Sequence, residues 1–205
     1  MSSFTDWPHI RNMIEDLSRQ DQNKLWECDY SCITSAILPY YFHVTHNNQW
    51  VITPEFNHLE GNHPDYTIFK VIHHPFKLQI HAIVELKSKA GASWNQLLEQ
   101  MYSQAELAKN TEGRLWAIGQ KGFEICFFKF DVLKYKDQDP DWYTNFEPLN
   151  LNNLSEPQLD NLNVQYQHCN DGGFARIALI KWRLDKPDHI PYINHMFEYI
   201  RSLEP

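Results

Sequence analysis

Two apolar runs, Tyr66 to Ile72 and Leu78 to Leu86, flank the short sequence His73-His74-Pro75-Phe76-Lys77, and this pairing constrains the fold more than any other feature. Both runs are short, rich in β-branched and aromatic residues, and bounded by polar turn residues, the pattern of strands. A connection this short makes them antiparallel neighbours. A further strand candidate, Trp50 to Phe56, precedes them. Ser93 then caps a helix in which Trp94, Leu97, Leu98, Met101, Ala105 and Ala108 recur at i, i+3, i+4, i+7, i+11 and i+14, a single apolar stripe. Arg114 to Gly119 reads as the next strand, and Phe123 to Phe130 as its partner after a Gln120-Lys121-Gly122 turn.

Helices open and close the chain. Trp7, Ile10, Met13, Ile14 and Leu17 share a helical face between Asp6 and Asn23, with Asp6 as the N-cap and Pro8 in the first turn. A second helix is expected from about Lys24 to Leu38, stopped by Pro39. From Lys136 to about Gly173 the composition turns to Asp, Asn, Gln and Pro, a long surface excursion whose LSEPQLDNL portion suits a short helix. A strand around Phe174 to Trp182 and a helix from about Tyr192 to Leu203 follow. The expected architecture is an α/β mixed sheet flanked by helices in one domain, 1–205, with its core over about 24–131 and a C-terminal elaboration over 132–205. A chain of 205 residues with 42% hydrophobic residues is large enough for one such core.

Alternation along the second strand of the hairpin sends Glu85 and Lys87 to one face and Leu86 to the other, into the core. Pro64-Asp65 begins the first strand, so the hairpin brings Asp65 near them. Two carboxylates so arranged repel unless a cation lies between them, and Mg²⁺ or Mn²⁺ suits oxygen donors. A metal there would prepare a water for attack on a phosphodiester, with Lys87 orienting the water or holding a phosphate oxygen. A chain of this length yields an E-x-K by chance about once. This is the single E-x-K here, and it ends an apolar strand, follows a strand begun by Pro-Asp and precedes an amphipathic helix. The plainer alternatives are a turn aspartate after Pro64 and a surface Glu85–Lys87 pair.

In that order of elements the stretch from Glu27 to Gly119 resembles the PD-(D/E)XK nuclease superfamily, whose core is a helix, a three-stranded meander bearing P-D and (D/E)-x-K, a helix and a further strand. The resemblance implies a restriction-endonuclease-like αβββαβ fold. It makes Asp65 and Glu85 the metal-binding acids, the Leu86 carbonyl a further metal ligand and Lys87 the catalytic lysine. It also implies an acid from the first core helix, Glu27 ahead of Asp29, and a glutamine on the helix after the motif. Gln96, Gln100 and Gln104 lie along one helix face, and Gln100 is the choice among them. The Q-x-x-x-Y form of one branch is absent, since Gln100 stands where its tyrosine would be.

The function so implied is metal-dependent cleavage of nucleic acid, DNA favoured and RNA allowed, with a homodimer compatible with cutting two strands. The alternative is a nuclease-fold protein without turnover that acts as a nucleic-acid- or protein-binding module or as an effector. A net charge of −8 argues against coating nucleic acid by bulk electrostatics. Between Lys70 and Lys136, however, ten basic residues face six acidic ones, a local balance of +4. No signal peptide or membrane span is legible, so an intracellular, cytoplasmic or nuclear protein without a membrane partner is expected. Cys28, Cys32, Cys126 and Cys169 lack zinc spacing and read as reduced thiols. His58, His63, His73, His74 and His81 read as turn and surface residues. Neither a Gly-rich phosphate loop nor a G-x-S-x-G elbow occurs. The aromatic residues of the last two core strands are expected to pack, with about half facing the core.

Overall fold

A computed structural model describes residues 3–43, 49–55, 63–108, 114–131, 146–148 and 179–203. In chain order these form a 3₁₀ turn Phe4–Asp6, α1 Pro8–Ser18, α2 Glu27–Tyr41, β1 Trp50–Pro54, β2 Tyr66–His73, β3 Phe76–Lys87 and α3 Trp94–Ala108. β4 Arg114–Lys121, β5 Glu124–Asp131, β6 Phe146–Pro148, β7 Trp182–Arg183 and α4 Ile190–Ser202 complete the set. The strands make one mixed sheet in the order β1-β2-β3-β4-β5-β6, with β7 also on β5. Only β3 and β4 run parallel, and α3 is the crossover between them; every other pair is antiparallel. The fold is therefore α/β with a mixed sheet.

Alternation along the central strands feeds two cores. Ala82, Val84 and Leu86 of β3, Trp116 and Ile118 of β4, and Ile125 and Phe127 of β5 join the apolar stripes of α1, α2 and α4 on one face. Ile83, Leu115, Ala117, Cys126, Phe128 and Phe130 meet Trp94, Leu97, Leu98, Met101, Ala105 and Ala108 of α3 on the other. The aromatic residues of β4 and β5 are thus buried on both faces, not on one: Trp116, Phe127, Phe128 and Phe130 are all enclosed, as is Phe123 in the turn between the strands. Covering by helices on both sides removes the solvent face that a half-buried strand would have.

Several boundaries differ from expectation, each for a local reason. Asp6 caps the 3₁₀ turn, its carboxylate accepting from Ser3 N at 2.7 Å, and α1 begins at Pro8. Pro39 does not stop α2 but sits in its last turn. Tyr41 stacks on Phe197 of α4 at 4.6 Å and Phe42 N donates to Leu38 O at 2.9 Å, so tertiary packing outweighs the missing proline donor. The β2–β3 turn is only His74-Pro75, since His73 already pairs with Phe76. Gln120 and Lys121 belong to β4, and the turn falls on Gly122, at φ +60°, and Phe123. Buried Gln120 is fixed by Thr34 Oγ1 at 2.6 Å and by its own bond to Gly122 O at 2.9 Å. Phe56, the LSEPQLDNL segment and residues 174–178 lie outside the described residues. No described helix is long and apolar enough to cross a membrane.

Candidate metal and catalytic site

β3 outruns β2. The antiparallel ladder begins at Tyr66↔Val84, so beyond it β3 has no partner strand on that side among the described residues, and Asp65 stands opposite Glu85. The Asp65 carboxylate fills the gap by accepting from Leu86 N at 2.5 Å, while its own carbonyl accepts from Glu55 N at 3.1 Å. Within an extended strand the N–H and C=O of one residue point to the same side. The Leu86 carbonyl therefore faces the Asp65 side, while its side chain is buried in the core.

Glu85 turns the other way, beneath α3, where its residue exposure is only 3%. Both its oxygens are engaged: Oε1 accepts from Lys87 Nζ at 2.6 Å and Oε2 from Gln104 Nε2 at 2.8 Å. Gln104 Nε2 also donates to His63 O at 3.1 Å, tying α3 to the segment that leads into Asp65. Glu27, at the first turn of α2, reaches Lys87 Nζ at 3.8 Å. Asp29 is occupied in accepting from Trp26 N at 2.8 Å. Asp65, Glu85, Lys87 and Glu27 thus come together, as the sequence suggests.

The glutamines divide by helix face. Gln96 closes the first turn of α3, its Oε1 accepting from Ser93 N at 2.8 Å while its own N donates to Ser93 Oγ at 3.2 Å. Gln100 is exposed and lines a cleft with Lys87, Ala92, Gln96, Glu99 and Ser103. Gln104, not Gln100, bonds Glu85. It is three residues from Met101 and seven from Leu97, at the edge of the apolar stripe and nearer to it than Gln96 or Gln100, and that proximity is the available signal. Close packing delivers it there. A Cβ on Gly119, the β4 partner of Glu85, would lie 2.9 Å from Leu97 Cδ2 and 3.1 Å from Met101 Sδ.

The electrostatics follow from crowding. Burial first, and the Glu85 charge second, push the Asp65 carboxyl up to about 7, against the opposing pull of the Leu86 amide and of Lys87. The Lys87 ammonium is held above its ordinary range: burial opposes the charge, but the hydrogen bond to Glu85 and the nearby carboxylates outweigh it. Three carboxylates with one lysine leave a local excess of two negative charges at full ionisation. Gln104 Oε1 and His63 Nδ1 are buried beside this group without hydrogen-bond partners among the described residues.

Among the described residues no three His, Cys, Asp or Glu side chains gather closely enough to hold an ion by themselves. Mg²⁺ does not require that, since it is commonly held by one or two carboxylates and keeps several waters. Asp65, Glu85 and the Leu86 carbonyl are all hard oxygen donors and fit it by chemistry, with the Lys87 ammonium now neutralising Glu85.

Two residues read as surface groups are otherwise. His81 is the extra residue of a bulge in β3, between the Ile68↔Ala82 and Phe69↔Ile80 pairs. It is buried against Trp50 and bonded through Nε2 to Ile200 O at 2.7 Å, a core histidine. His63 is half-buried in the site wall. His73 and His74 are exposed, and His58 lies outside the described residues. Cys28 and Cys32 are exposed free thiols and Cys126 a buried one; Cys169 lies outside the described residues.

The fold and site define a mixed α/β protein with a buried acidic pair and a lysine at the end of its central antiparallel hairpin. Compared with protein-family models, curated proteins and solved structures, the chain matches none.

Proposed function

We propose that this protein is a metal-dependent nuclease of the PD-(D/E)XK type, with a restriction-endonuclease-like αβββαβ core, that hydrolyses nucleic-acid phosphodiester bonds, DNA favoured. The observation that carries the reading is the convergence of Asp65, Glu85 and Lys87 where β3 outruns β2, with both carboxylates mostly buried and Asp65 pushed up to about 7. Carboxylates held at that cost in burial first, and in charge repulsion second, are explained by a cation as ligand. Supporting it are the order of elements, helix, antiparallel meander, crossover helix and parallel strand, and the reach of Glu27 to Lys87.

In this reading Asp65, Glu85 and the Leu86 carbonyl hold Mg²⁺ or Mn²⁺. When bound, the ion supplies charge neutralisation on the phosphate and a more acidic water. Lys87, whose proton is held firmly, acts as a hydrogen-bond donor to the attacking water or a phosphate oxygen and not as a base. Gln104 is a positioning residue: its bond to Oε2 fixes the Glu85 carboxylate plane. Glu27 steadies Lys87 from the opposite side.

A second reading is a nuclease-fold module that binds nucleic acid or protein without cutting. The direct 2.6 Å bond by which Lys87 already neutralises Glu85 favours it. The deciding experiment compares cleavage of single-stranded DNA, duplex DNA and RNA, with Mg²⁺ or Mn²⁺, by the native protein and by folded Glu85→Ala and Lys87→Ala variants. Metal-dependent cutting lost in both variants is the expected result. Absence of cutting by the native protein, or equal cutting by the variants, would sink the catalytic reading.

A further inference from the structure

Beside the acidic group lies its opposite. A cleft of about 390 Å³ is lined by Lys89, Lys121, Lys181 and Arg183, with Glu124 as its carboxylate. Two of the cations are paired: Lys181 with Glu124 at 3.5 Å, and Arg183 with Asp185 through bonds of 2.7 and 2.9 Å. Lys89 and Lys121 make no ion pair among the described residues, and Lys121 Nζ donates instead to the Lys89 carbonyl. Among the described residues, then, neither of these two positive charges in one concave site has a carboxylate paired to it, Glu124 being bonded to Lys181. Burial, with Lys181 and Lys89 adding to it, weakens the hold of Lys121 on its proton despite Glu124, as expected of a cation awaiting an anion.

Position gives the cleft its meaning. Lys121 is the register partner of Lys87 in the parallel β3–β4 pair, and alternation from Glu85 and Gly119 puts both on the α3 face. Neighbouring strands are about 4.8 Å apart, so the cleft begins one strand beyond the acidic group. An acidic group, with an excess of two negative charges at full ionisation, and a basic one with an excess of two positive charges are therefore adjacent. Trp94 and Phe123 line the cleft but are 4% and 2% exposed, so among the described residues no aromatic face of the cleft is open for stacking a base. The chemistry on offer is cationic and blind to base identity.

We propose that this cleft binds the phosphodiester backbone of a nucleic-acid strand through Lys89 and Lys121, next to the phosphate held at Lys87. The proposal rests on the nuclease reading for the ligand's being substrate, and its test does not depend on cutting. Binding of the full chain to labelled single-stranded and duplex DNA of varied sequence would be measured by fluorescence anisotropy in EDTA, across a salt series. Replacing Lys89 or Lys121 by Ala should lower affinity for all sequences alike and flatten the log–log salt slope by about 0.7–0.9 for each lysine. Lys121→Arg should retain the slope. If Lys121→Ala does not fold, Lys121→Gln combined with Lys89→Ala, the latter at an exposed position, carries the test. An unchanged slope in a folded double variant overturns the proposal. So does loss of inorganic-phosphate binding with oligonucleotide binding intact, which would make the cleft a small-anion site. A flattened slope with no metal-dependent cleavage would leave the cleft standing and remove the nuclease; the converse would do the reverse.

Discussion

Asp65 carries two roles that one substitution separates. Its carboxylate satisfies the Leu86 amide that β2 leaves open, and it is crowded by burial and by Glu85. Asp65→Asn keeps an acceptor oxygen for the amide and removes the charge. In metal-free buffer the variant is expected to unfold no earlier than the native protein, while metal-dependent cleavage falls by more than about 100-fold, beyond what loss of an outer-shell partner gives. Thermal unfolding and cleavage measured together check this. Cleavage unchanged in the variant would reduce Asp65 to a strand cap. Asp65, Glu85 and Lys87 were legible in the sequence because strand alternation and a tight hairpin fix their relative positions. Gln104 is only weakly marked: its place beside the apolar stripe separates it from Gln96 and Gln100, but its bond to Glu85 comes from the docking of α3 against β3.

α3 owes its position to a missing side chain. Leu97 and Met101 are fully enclosed and close against Gly119, so Gly119→Ala must shift their side-chain ends within a closed core. A loss of about 1–3 kcal/mol is expected in urea unfolding. Cleavage should weaken further than the stability change explains, since the same helix sets Gln104 on Glu85. A second junction is pH-dependent. His189, just before α4, accepts from Arg183 N through Nδ1 at 2.9 Å, which requires the neutral ring at that atom. Burial foremost, and Arg183 among its neighbours, hold its pKa below 6.5. A base that protonates less readily folded than unfolded contributes fully above the unfolded value, and that contribution is lost as pH falls from about 6.5 through the folded one. Urea midpoints measured across that window should fall with acid in the native protein. They should fall less in His189→Asn, whose amide oxygen can replace Nδ1. Equal slopes would show that the β7–α4 junction does not sense pH.

At the scale of the molecule, helices on both faces make β3, β4 and β5 the centre of the structure and leave β1 as an edge. Amide exchange should therefore be slowest in Ile83 to Leu86 and Leu115 to Ile118, approaching the global unfolding free energy, and faster in Trp50 to Pro54. Uniform protection across the sheet would contradict this layering. Charge is also organised at this scale. The net −8 conceals an acidic group and a basic cleft side by side on adjacent strands. That juxtaposition was only partly visible in the basic stretch around the motif, since Lys181 and Arg183 arrive from a distant part of the chain.

Local periodicity and turn chemistry determined what the sequence could decide alone: the hairpin of β2 and β3, the amphipathic α3, the β4–β5 pair, and Glu85 and Lys87 on one face. These depend on neighbours within a few residues, where backbone geometry leaves few choices. Tertiary structure decided the rest. It carried α2 through Pro39 by stacking Tyr41 on Phe197, buried His81 under α4, and enclosed both faces of the aromatic strands. It selected Gln104 over Gln100 and set Lys121 beside Lys87. Each of those outcomes depends on which distant surfaces meet, and the packing of whole elements, not the pattern within one, fixes that meeting.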